Sequence, residues 1–148
     1  MSNKKKPLIA YLDHIEFVVN DVEEYVKFFE TWGFEVSLRS DHHHGSAEMK
    51  LPEQNLTLEI HGVEGEEYPG INHLGWATDD IEGCAKVAKE KGYKQVGEPR
   101  LYQPTGRMLL NFRDPDGFRF QLTGTQRVAP VAGIYDKVQA EMRAQRRP

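Results

Sequence analysis

Cysteine is almost missing from the chain. Cys84 is the single one in 148 residues, which excludes an intrachain disulfide framework and fits a reducing compartment, so a cytoplasmic protein is expected. Long apolar runs are missing as well. No stretch approaches the roughly 20 residues needed to cross a bilayer, and no membrane partner is expected. The opening segment, MSNKKKPLIAYLD, is basic but lacks the apolar stretch of a secretory signal. Positive charge is in deficit: 19 Lys+Arg face 23 Asp+Glu, for a net charge of −4, so nucleic acid is not an expected partner. P-loop, glycine-rich dinucleotide turn and nucleophile elbow are all absent, which argues against a nucleotide cofactor. What is present is 39% hydrophobic residues, enough for one compact domain with a real core and too short a chain for two independent ones.

The chain repeats itself. His14-Ile-Glu-Phe-Val-Val-Asn-Asp-Val-Glu-Glu-Tyr25 and His73-Leu-Gly-Trp-Ala-Thr-Asp-Asp-Ile-Glu-Gly-Cys84 align at an offset of 59, as do Gly33 and Gly92. Asn20-x-x-Glu23 and Asp79-x-x-Glu82 read as capping boxes opening two helices. Gly33 and Gly92 read as the left-handed residues that end them. Between these points the apolar spacing is helical: Val22, Tyr25, Val26, Phe29 and Trp32 in one copy, Ile81, Cys84, Ala85, Val87 and Ala88 in the other. Cys84 thus reads as a small core-facing residue. A strand-like alternation precedes each helix (Ile15/Phe17/Val19 and Leu74/Trp76). Three further strands are expected after each: 34–40, 46–51 and 56–62, then 93–102, 107–113 and 118–124. Asp114-Pro-Asp-Gly117 marks the last hairpin turn. Each half is therefore a βαβββ module, residues 10–64 and 70–125, whose single helix covers one sheet face. The tail, 130–148, carries Ile134, Tyr135, Val138 and Met142 at helical spacing and reads as an amphipathic helix that packs on the sheet or across a homodimer.

Parity along the strands sends some polar residues to the face the helices leave open. In Leu56–His61 the apolar residues are 56, 58 and 60, so Glu59 points away from the helix with Thr57 and His61. In Phe118–Thr123 the same rule turns Gln121 outward. His14 and His73 are out of phase with the apolar residues that follow them. Two imidazoles, one carboxylate and one amide, duplicated between halves, form a candidate site for one divalent transition metal: Zn, Ni, Co, Mn or Fe.

These stretches resemble the vicinal oxygen chelate superfamily, the glyoxalase/bleomycin-resistance/dioxygenase group. LDHIEFVVND and INHLGWATDDIE resemble the strand-to-helix openings of its two modules, and NFRDPDGFRFQLTG its closing hairpin. The resemblance covers roughly residues 10–125. It implies an α+β fold in which paired βαβββ modules form a U-shaped mixed sheet with helices on the outer face; the C-terminal helix read from the tail's spacing lies outside it. It also implies His14, Glu59, His73 and Gln121 as metal ligands. Gln121 stands where the superfamily commonly carries Glu, which departs from the iron dioxygenases and fosfomycin-type transferases. A set of two His, one Glu and one Gln is similar to methylmalonyl-CoA epimerase, with Glu and Gln exchanged between modules. Glyoxalase I members carry Glu at both places.

The chemistry expected of such a site is that of a metal-dependent glyoxalase-type lyase or an epimerase. A proton is abstracted next to a carbonyl, and the metal stabilises the resulting enediolate. The expected substrate is a small molecule with vicinal oxygens, thioesters included. Glu59 is the first candidate for the base and Glu16, two residues beyond His14 on the same face, the second. His61 is a candidate proton shuttle. Arg107, Arg113 and Arg119 are spread over the last hairpin, with Arg119 in phase with Gln121. His42-His43-His44 reads as a loop at the mouth of the site. Two rival readings use the same fold: a metal-free small-molecule-binding protein of the bleomycin-resistance type, and an Fe(II) dioxygenase in which Glu59 replaces the missing final Glu.

Overall fold

The computed structural model describes residues 5–40 and 45–130. The His42–His44 loop and the C-terminal tail lie outside the described residues. The first module runs β1 (Tyr11–Val19), α1 (Val22–Thr31), β2 (Glu35–Ser40), β3 (Ser46–Lys50) and β4 (Thr57–Gly62). The second repeats it as β5 (Gly70–Thr78), α2 (Ile81–Lys91), β6 (Gln95–Tyr102), β7 (Arg107–Arg113) and β8 (Arg119–Arg127). All eight strands form one mixed sheet in the order β2-β3-β4-β1-β5-β8-β7-β6. Each module's first strand lies parallel to its last, β1 to β4 and β5 to β8, and the modules join through the antiparallel β1–β5 pair. The sheet does not close, and it curls so that strands from both halves line one cavity.

The core is split in two, one cluster beneath each helix. Val26 of α1 is buried among Val19, Ala47, Met49, Leu58 and Ile60, with Phe17, Phe29 and Phe34 packed against them. Cys84 and Ala85 of α2 lie with Leu110 and Leu122, flanked by Trp76, Phe112 and Phe120. Small residues on α2 let it sit close to the sheet, and Cys84 is buried as expected. The stripe on α1 is narrower than its spacing predicts: Trp32 is 66% exposed and Tyr25 39%.

The helix starts lie one residue later than the expected caps. Asp21, not Asn20, accepts from the Glu24 amide at 3.0 Å, and Asp80, not Asp79, from the Gly83 amide at 2.9 Å. Glu23 is thereby free to pair with the Arg39 guanidinium, and Asp79 with Lys6 and Thr125. Both expected terminators are left-handed, Gly33 at φ 95° and Gly92 at φ 72°. No helix among the described residues is long and apolar enough to cross a membrane.

Candidate metal centre

The parity expected from the sequence holds: His14, Glu59 and Gln121 all line a cavity of about 320 Å³ on the sheet face opposite the helices. That volume suits a small-molecule site. His14 Nε2 lies 3.2 Å from His73 Nε2 and 3.8 Å from Glu59 Oε2. One ligand atom each from His14, Glu59 and His73 falls within 4.8 Å of the others. Both rings are buried, His14 at 2% and His73 at 1% exposure. Gln121 lines the same cavity. Its Nε2 donates to Asn111 Oδ1 at 3.1 Å and its Oε1 accepts from Thr123 at 3.4 Å, which leaves the oxygen as the donor atom it can offer a cation.

Two β-bulges build this arrangement. The β1–β5 register skips Asp13 on one strand and Asn72 on the other, the residue before each histidine. A bulge frees a side chain from strict alternation, so each of these polar groups lies beside the ring that follows it. Asp13 Oδ2 meets His14 Nδ1 at 2.8 Å, and Asn72 Oδ1 meets His73 Nδ1 at 2.9 Å. The two copies then diverge where they face each other. Glu16 sits opposite His73, and its repeat-mate Gly75 sits opposite His14. A Cβ on Gly75 would lie 2.0 Å from His14 Cε1, so only glycine admits the ring.

Two Nε2 atoms 3.2 Å apart need a proton or a cation between them, since bare lone pairs repel. Burial alone would lower the His14 pKa, but the Glu59 charge and the Asp13 hydrogen bond outweigh it and raise it to about 9. Burial and the neighbouring His14 charge lower His73 to about 4, against the pull of Glu16. The Glu59 carboxyl is pushed up to about 7 by burial, opposed by His14 and reinforced by the like charge of Glu48. Glu48 stands directly across the β3–β4 ladder from Glu59 and is itself pushed up by burial. Glu16 behaves oppositely. Burial would raise it, but the His61 hydrogen bond and the His73 charge hold it at about 2. Its oxygens lie 2.9 Å from His61 Nε2 and 3.2 Å from His73 Nε2. An imidazole pair converging with one carboxylate, an amide oxygen in the adjoining cavity and no thiolate fits a borderline divalent ion.

The family model of the glyoxalase/bleomycin resistance protein/dioxygenase superfamily matches residues 11–122. The chain belongs to this superfamily. Among solved relatives, methylmalonyl-CoA epimerase from Mycobacterium tuberculosis is 17% identical with a TM-score of 0.72, over 93% of this chain and 96% of that one. A Streptomyces coelicolor methylmalonyl-CoA epimerase in complex with 2-nitronate-propionyl-CoA is 21% identical with a TM-score of 0.67, over 78% and 97%. At these identities the likeness is one of fold. A probable chloroplastic lactoylglutathione lyase of Arabidopsis thaliana is 24% identical over 128 residues, 74% of this chain. The chain spans about a third of that relative's length, 34%.

As a superfamily member the chain keeps its expected polar set on one face, but the last hairpin divides. Arg107 reaches Asp13 through two bonds, 2.8 and 3.2 Å, and Arg119 donates to Asn72 Oδ1 at 3.1 Å. Arg113 is exposed and donates to the Gly117 carbonyl, away from the cavity. Asp13, Glu48, Asn72 and Gly75 are contributors that parity reasoning passed over. The visible signal was a pair of polar residues in succession, Asp13-His14 and Asn72-His73, at the same offset as the repeat. Glu48 alternates with Ala47 and Met49, which marks it as facing the cavity.

Proposed function

We propose that the protein is a divalent-metal-dependent enzyme of epimerase or glyoxalase type that moves a proton on a carbon next to a carbonyl. The observation that carries this reading is that one ligand atom each from His14, His73 and Glu59 lies within 4.8 Å of the others, beside a cavity that His14, Glu59 and Gln121 line. A divalent ion bound there would supply Lewis-acid polarisation of a substrate oxygen. His14 and His73 would hold it through Nε2, Glu59 through a carboxylate oxygen and Gln121 through Oε1.

The remaining chemistry belongs to the side chains. A general base works best with a pKa near the operating pH. Glu59, at about 7, meets that condition and Glu16, at about 2, does not. Glu59, as a ligand that swings off the ion, would take the proton, and Glu16 serves as the anionic partner of His61. Glu48 keeps Glu59 poised, because like charge across the ladder opposes ionisation of both. Tyr102, whose hydroxyl burial and then the Glu59 charge push up to about 12, stays protonated and can donate to a substrate oxygen in the same cavity. Arg100, exposed at the rim, and Arg119 supply positive charge for an anionic substrate group. Solved relatives hold CoA thioesters, which supports acyl thioesters alongside α-keto hemithioacetals as substrates to screen.

The test is solvent-deuterium exchange at the α-carbon of 2-branched acyl-CoA thioesters and α-keto hemithioacetals, with metal-loaded protein. Exchange that falls at least about a hundredfold in Glu59→Gln supports the assignment. Exchange unchanged in that variant removes Glu59 as the base. A second reading rests on the same three ligands, because two His and one carboxylate is also the set of non-haem iron oxygenases. Oxygen uptake by iron-loaded protein, without α-proton exchange, would favour it.

A further inference from the structure

We infer that Asp13 and Asn72 are positioning residues that lock His14 and His73 in the tautomer carrying hydrogen on Nδ1, so that both Nε2 atoms turn their lone pairs to one point. The inference deepens the metal-centre reading above and rests on it for its purpose. Without a cation, a proton lies among His14 Nε2, His73 Nε2 and Glu16 Oε2, the last two 3.2 Å apart, and binding of an ion would displace it.

The hydrogen positions follow from which groups can only donate. A guanidinium has donors and no acceptor. Arg119 Nη1 lies 3.1 Å from the Asn72 side-chain atom that also faces His73 Nδ1. That atom must therefore be the amide oxygen, and His73 Nδ1, facing an acceptor, must carry the hydrogen. Arg107 does the same for the other half. Its two nitrogens take both oxygens of Asp13 at 2.8 and 3.2 Å, and Asp13 Oδ2 accepts from His14 Nδ1 at 2.8 Å. The bulges that bring Asp13 and Asn72 alongside the rings occupy equivalent places in the two modules. One orienting device is thus built twice, each copy an arginine, an acceptor and an imidazole in series. The copies differ in charge, a carboxylate behind His14 and a neutral amide behind His73.

An imidazole whose Nδ1–H is held by an acceptor is a better and more rigid Nε2 ligand, and loss of such a partner commonly costs about ten- to a hundredfold in metal affinity. The experiment has two readouts on the full chain. The first is long-range 15N NMR of the imidazoles in chelator-treated protein. Hydrogen on Nδ1 of both His14 and His73 is expected, and a His73 ring in the parent protein that carries hydrogen on Nε2 and none on Nδ1 would overturn the inference. The second is Zn2+ affinity by chelator competition for parent, Asn72→Leu and Asp13→Asn, with circular dichroism confirming the fold. Asn72→Leu should weaken binding about tenfold or more, release His73 to the other tautomer, and be rescued by Asn72→Asp. Asp13→Asn, which keeps one acceptor, should lose less. Affinities within twofold of the parent, with tautomers unchanged, would overturn the positioning role. If the parent shows both Nδ1–H tautomers yet binds no metal, the orienting device stands and the metal reading fails.

Discussion

Gly75 and Glu59 show how much of the site depends on single atoms. The His14 ring occupies the space a Gly75 side chain would fill, 2.0 Å from where its Cβ would sit. Gly75→Ala should therefore displace the ring, lower metal affinity at least tenfold and reduce the melting temperature, measurable by calorimetry with and without metal. Glu59 illustrates the conflict between function and stability. Its carboxyl titrates at about 7 in the folded chain against an ordinary 4.5, chiefly because burial disfavours the ion. A raised acid pKa means that folding is penalised above that window, since the unfolded chain ionises more readily. In the presence of chelator at pH 8, Glu59→Gln should melt at a higher temperature than the parent while losing exchange activity. A lower melting temperature would show that its charge stabilises the fold through His14.

Secondary-structure elements are where sequence reasoning was both strong and incomplete. The helical stripes, the left-handed glycines and the phase of each strand were legible because burial imposes periods of 3.6 and 2 on the residues themselves. Glu59 and Gln121 were identifiable for that reason. The cap positions were displaced by one because Asn20-Asp21 and Asp79-Asp80 each offer two good capping residues, and only the tertiary pairing of Glu23 and Asp79 decides between them. Asp21→Ala should accordingly cost about 1 kcal/mol in urea unfolding and Asn20→Ala much less. The bulges were not legible. A one-residue slip in the β1–β5 register depends on both strands at once, and nothing in either alone requires it. So Asp13 and Asn72 were missed even though the duplicated polar pair was in view. Nor could spacing tell that Glu16 and Gly75, repeat-mates by position, would take opposite roles.

At the scale of the whole molecule, duplication places one histidine from each module at the single seam where the modules join. The β1–β5 pair holds His14 and His73 together, and the strands flanking it, β4 and β8, carry Glu59 and Gln121. The seam is also a reservoir of charge whose cost depends on pH. Asp13 and Glu16 both titrate at about 2 in the fold against ordinary values of 3.8 and 4.5: burial pushes each up, and hydrogen bonds to His14 and Arg107, or to His61, more than compensate. Depressed carboxylates stabilise the fold above their unfolded pKa values, and that contribution is lost as the pH falls from about 4.5 toward 2. The contribution is on the order of 2 kcal/mol for Asp13 and about 3 kcal/mol for Glu16. Urea midpoints of chelator-treated protein should fall steeply across that window, and Glu16→Gln should be less stable at pH 7 with a shallower acid limb.

Whether the two halves meet to hold one metal ion is decided by elemental mass spectrometry of untagged protein purified without a nickel column. Near one equivalent of a divalent transition metal per chain is expected, lost in a folded His14→Ala/His73→Ala variant. No bound metal, even after incubation with Zn, Mn, Co, Ni and anaerobic Fe(II), would contradict it and leave the cavity as a polar pocket for binding alone.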